Sequence, residues 1–100
     1  MVSIKVDKIN NKINHIKISG HSGYAESGYD IVCASVSSIA ITTVNALISI
    51  NEDCLKYIEK DGLLEIDILK HDDIIDKLLF NMLSMLKELS KDYKEYIKIK

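Results

Sequence analysis

From Ile31 to Ile50 the chain carries no charged side chain. Within it Val32, Val36, Ile39, Ala40, Val44, Leu47 and Ile48 recur at helical spacing, and the polar groups are small: Ser35, Ser37, Ser38, Thr42, Thr43 and Asn45. A helix with no charged face is expected to be buried on most sides. In a chain of 100 residues it must then lie centrally or meet a second protein surface. Ser, Thr and Asn interrupt the apolar run and it falls in mid-chain, so it does not read as a membrane span.

The flanking segments change period. Val2, Ile4 and Val6 alternate with Ser3, Lys5 and Asp7, and Ile16 and Ile18 with His15 and Lys17. These are half-buried strands, joined through Asn10-Asn11, residues that tolerate left-handed backbone. Leu55 and Tyr57 around Lys56, then Leu64, Ile66 and Ile68 around Glu65 and Asp67, give a second hairpin through Asp61-Gly62. A second helix is expected from about Asp72 to Lys91, its stripe formed by Ile75, Leu78, Leu79, Met82, Leu86 and Leu89. Asp72 and Asp73 suit its positive start, and Lys87 and Lys91 its negative end. Tyr93 to Lys100 alternates again as a C-terminal strand. The order ββαββα with a final β argues for an α+β two-layer sandwich, two helices on a largely antiparallel sheet, with residues 1–100 as one domain.

Composition excludes several functions. The net charge of −2 has no basic block, so no direct nucleic-acid contact is expected. The start, MVSIKVDKIN, does not read as a signal peptide. Cys33 and Cys54 are then expected as reduced thiols in the cytoplasm. Two cysteines and three histidines lack paired metal-ligand spacing, so no metal and no cofactor are expected. Cys54 reads as a small apolar residue, His15 as a solvated outward group, His71 as a cap of the second helix, and Met82 and Met85 as core filler.

The chemistry concentrates in Gly20 to Ala34. Three of the four glycines, Gly20, Gly23 and Gly28, lie between Gly20 and Asp30 and give a loop of the kind that carries function. If Asp30 is the N-cap, Cys33 is the third helical residue, beside unpaired amides and the positive dipole end, where thiolate is favoured. A thiolate is the nucleophile of a cysteine hydrolase, and the same amides can hold an oxyanion. His21 lies across the loop, separated from Cys33 by the eleven residues Ser22 to Val32. It can serve as general base and then as acid. Asp30 either caps the helix or orients His21, and Ser37, one turn after Cys33, can donate into the site or simply pack. Tyr24 and Tyr29 can line a groove or pack locally. Spacing alone leaves a second reading open: a buried, inert cysteine and a turn histidine.

The stretch G-H-S-G-Y-A-E-S-G-Y-D-I-V-C-A-S-V-S, Gly20 to Ser37, resembles the signature of the ribosomal-processing cysteine protease family, Prp. The matching positions are Gly20-His21, Tyr24, Ala25, Gly28, Asp30-Ile31-Val32, Cys33 and Ala34, and Val44-Asn45-Ala46 further along also fits. The resemblance implies a bacterial cysteine protease that removes a short N-terminal extension from a large-subunit ribosomal protein precursor. It implies His21 and Cys33 as catalytic residues, Asp30 and Ser37 as supporting ones, and a homodimer. It also implies a substrate loop, with Gly20, Gly23, Tyr24 and Gly28, that reorganises around the peptide. The alternative is a non-catalytic ribosome-assembly binding module that docks through the Gly20–Asp30 loop.

Overall fold

The computed structural model describes residues 1–20 and 27–100; for residues 27–30 it gives the helical course of the backbone. The elements are β1 (Val2–Ile9), β2 (Lys12–Ser19), α1 (Ser27–Ile50), β3 (Leu55–Lys60), β4 (Leu63–Ile68), α2 (Asp73–Asp92) and β5 (Ile97–Ile99). The five strands form one sheet in the order β3-β4-β2-β1-β5. Every neighbouring pair is antiparallel except β1–β5, which is parallel. This is the expected α+β sandwich with the final strand in place.

Strand alternation decides the two faces. Val2, Ile4, Ile16, Ile18, Leu64, Ile66 and Ile68 are buried, while Lys5, Lys17 and Asp67 between them are exposed. The buried set joins residues of both helices in one cluster, and the opposite face is open to water. Ile13 is buried as well as Ile16, although an odd spacing should send them to opposite faces. The β1–β2 register shifts between Asp7 and Lys8, so that Asp7 pairs with His15 and Lys8 with Ile13. Asn14 is the extra residue of a bulge, which restores Ile13 to the core. The turn is made by Asn10 and Asn11, with φ of 53° and 64°, the left-handed geometry that matches strand twist in two-residue hairpins.

Helix α1 differs from expectation in two ways. It begins at Ser27, so part of the anticipated loop is helical. It is also buried along one stripe only. Val32, Cys33, Val36, Ala40, Val44 and Leu47 enter the core, whereas Ile31, Ala34, Ser38, Thr42, Asn45 and Ser49 are exposed. The solvent stripe is uncharged but mostly small and polar, which satisfies water without a Lys or Glu. By length and composition Ile31–Ile50 could cross a bilayer, with a mean hydropathy of 1.9; its packed stripe makes it the core helix of this sheet.

Helix α2 follows its amphipathic pattern, with Ile75, Leu79, Met82, Leu83 and Leu86 buried. Asp72 is its cap, accepting the Ile75 amide at 2.8 Å. His71 therefore does not cap: its Nδ1 lies 2.6 Å from Asp76 Oδ1. Met85 is exposed rather than core filler, while Met82 is fully buried. His15 is not simply solvated either, since it lies among three carboxylates: Glu65 at 2.9 Å, Asp7 at 3.4 Å and Asp67 at 3.8 Å. Alternation read within β2 alone could not show that β1 and β4 bring acids to both its sides.

Candidate active site

Cys33 is on the buried stripe of α1 and keeps 5% of its surface exposed. Its Sγ contacts the carbonyl oxygen of Gly20 at 4.0 Å, a long, weak thiol hydrogen bond. Gly20 follows directly on β2 and has φ of 83°, a left-handed value that glycine takes without a Cβ clash. Its amide donates to the carbonyl of Gly62 at 2.9 Å. That bond continues the β2–β4 ladder one rung beyond the pair Ser19–Leu63. Three elements thus converge here: the end of β2, the first half of α1, and the β3–β4 turn. Beside that turn lies an open depression of about 730 Å³ lined by Tyr57, Glu59, Lys60, Asp61 and Gly62.

The start of α1 corrects one sequence argument. With the helix beginning at Ser27, Asp30 is its fourth residue and not its N-cap, and Cys33 is its seventh. The unpaired amides belong to the first turn, and Cys33 lies one turn beyond them rather than among them. Gly28 reads as loop in the sequence but is carried inside the helix, and Ser27 is itself a residue that favours helix starts.

Positions 30, 33 and 37 share one face of α1, being three and four residues apart. Ser37 is half-buried on that face. His21, Gly23 and Tyr24 lie outside the described residues, as does the side chain of Asp30. Gly28 falls within α1 rather than in a loop.

Cys54 is a separate, structural thiol. It is fully buried just before β3 and its Sγ contacts the Leu47 carbonyl at 3.7 Å. Burial pushes its thiol up from the ordinary value of 9.0. Both cysteines are free. At 1.5 Å rise per residue, Leu47 is about 20 Å along α1 from Cys33, far outside disulfide reach. Among the described residues no group of His, Cys, Asp and Glu has the arrangement to hold a metal ion.

Comparison with known proteins agrees with this architecture. The chain is 29% identical over 91 residues to the ribosomal processing cysteine protease Prp of Staphylococcus aureus, covering 88% of this chain and 86% of that protein. The crystal structure of the essential S. aureus ribosomal processing protease Prp in complex with a substrate peptide superposes with a TM-score of 0.92 at 25% identity. That match covers 100% of this chain and 98% of the other. The same S. aureus protease with a covalently linked product peptide gives 0.86 at 26% identity, over 99% and 97% of the two chains. The family model for cysteine protease Prp matches residues 1–98, and the chain belongs to that family of cysteine proteases.

Proposed function

We propose that Cys33 is the nucleophile and His21 the general base and acid of a peptidase that trims the N-terminal extension of a large-subunit ribosomal protein precursor. The observation that carries this reading is the S. aureus relative solved with a covalently linked product peptide, taken together with the Gly20–Ser37 motif of this chain. His21 takes the thiol proton, and the thiolate forms a C–S bond with the scissile carbonyl. His21 then protonates the leaving amine as the C–N bond breaks. A water deprotonated by His21 hydrolyses the thioester, releasing the acid and the free thiol. The chemistry requires no cofactor.

Asp30 and Ser37 support the site from the helix face they share with position 33. Gly20, Gly23, Tyr24 and Gly28 are the peptide-facing residues. Residues 1–100 act as one domain in the cytoplasm, a reading supported by two free thiols set far apart. The protein works as a homodimer and without direct nucleic-acid contact. The uncharged outer stripe of α1, with Ile31 60% and Ile50 49% exposed, supports a partner surface.

A second reading is favoured by the low exposure of Cys33: a binding module whose thiol is inert. The deciding experiment is cleavage of a peptide spanning the extension junction by wild type, Cys33→Ala and His21→Ala. Cleavage by wild type alone is expected. Cleavage by either variant at the wild-type rate removes the assignment, and no cleavage by any folded, peptide-binding form favours the module.

A further inference from the structure

We infer that Gly62, in the β3–β4 turn, is a positioning residue for the Cys33 thiol, acting through Gly20. This rests on the reading of Cys33 as the nucleophile, and it adds a residue remote in sequence from the motif.

A short chain of contacts links Cys33, Gly20 and Gly62. Cys33 Sγ lies 4.0 Å from the Gly20 oxygen. The Gly20 amide lies 2.9 Å from the Gly62 oxygen. One peptide unit on each side of Gly20 is therefore engaged, by the nucleophile's helix on one side and by the turn on the other. Ser19 already pairs with Leu63, and the Gly20–Gly62 rung ties the backbone to β4 at the point where it leaves β2. The residue after Gly20 is His21.

Both ends of the rung depend on left-handed backbone, φ 83° at Gly20 and 76° at Gly62. A residue with a Cβ is driven out of that region unless it is Asn or Asp. A substitution that rotates residue 62 turns its carbonyl away from Gly20 and frees the backbone against the thiol. Displacements of about 1 Å in a catalytic constellation can cost on the order of a hundredfold in rate.

Asn11 provides the control. It is also left-handed, φ 64°, and sits in the β1–β2 turn at the opposite end of β2. Asn11→Ala carries a comparable backbone lesion without touching Gly20.

The test measures two things on the full chain: kcat and KM for the junction peptide, and the ratio of Cys33 to Cys54 alkylation by iodoacetamide. Gly62→Ala is expected to lower kcat roughly ten- to a hundredfold with little change in KM, and to raise the Cys33/Cys54 ratio as Gly20 moves off the thiol. Asn11→Ala is expected to change neither, and Gly62→Asn to stay within about twofold of wild type because Asn tolerates the left-handed region. Equal effects of Gly62→Ala and Asn11→Ala, or an unchanged alkylation ratio, would overturn the inference. If wild type fails to cleave, the nucleophile assignment falls; the alkylation ratio, which needs no turnover, still decides whether residue 62 positions Cys33.

Discussion

His15 Nε2 lies 2.9 Å from the Glu65 carboxylate, diagonally across from β2 to β4 on the open face of the sheet. Directly opposite His15 stand Asp7 on β1 and Asp67 on β4. One imidazole therefore ties the central strand to both neighbours. The pair is partly exposed, 22% and 32% for the two side chains, so solvent screens much of the attraction. A double-mutant cycle with His15→Gln and Glu65→Gln in urea denaturation should give a coupling of about 0.5–1 kcal/mol. The coupling should shrink in roughly 1 M salt; a value that salt leaves unchanged would point to packing instead.

Burial ranks the apolar substitutions. Ile66 is 1% exposed and Phe80 41%. Ile66→Ala should lose about 2–5 kcal/mol through lost transfer energy and the cavity left behind. Phe80→Ala should lose about 1 kcal/mol or less, chiefly its contact with the Lys8 ammonium, 5.7 Å from the ring centre. Chemical denaturation of both variants checks the order, and a larger loss at Phe80 would contradict it.

Asp72 holds the start of α2 through the Ile75 amide. Asp72→Ala should cost about 0.5–2 kcal/mol, and Asp72→Asn should recover most of it, since the amide oxygen can accept the same bond. Thermal unfolding of the two variants distinguishes a capping role from simple charge near the helix dipole, where Asn would recover little.

Cys54 should respond to alkali. Burial raises its thiol above the ordinary 9.0, so the folded state keeps a proton that the unfolded state releases. The stability it contributes is present in full below 9.0 and lost as pH rises through the raised value. In a Cys33→Ala background the native protein should resist iodoacetamide near neutral pH, react faster as pH rises, and react at once in denaturant. Rapid labelling of native protein at neutral pH would show that the site opens.

Much of the fold could be read from period alone. The strands around Ile4, Ile16, Leu64 and Ile66 and the stripe of α2 declared themselves, because each pattern keeps one face dry. What escaped was relational. The acids around His15 are distant in sequence and meet only through strand order. The bulge at Asn14 breaks the alternation that would have found Ile13. Glycine-rich sequence reads as loop, which puts the expected start of α1 near Ile31, and Gly28 lies in helix nonetheless. For the proposed site, the Gly20–Ser37 motif points to Cys33 and His21. It did not supply Gly62, whose tie to Gly20 depends on β4 lying beside β2.

The strand order also sets a schedule for synthesis. β2 occupies the middle of the sheet, yet its partner β4 begins only at Leu63. As the chain emerges, β1, β2 and α1 appear first and can pair locally, with β2 still an open edge. Closing the Gly20–Gly62 rung joins residues far apart in sequence, the kind of contact that forms slowly. A nascent chain that already contains Gly20 to Ser37 therefore lacks the strand that pairs with the end of β2. The Gly20–Gly62 rung, and with it the backbone beside Cys33, can close only once the second hairpin has folded back.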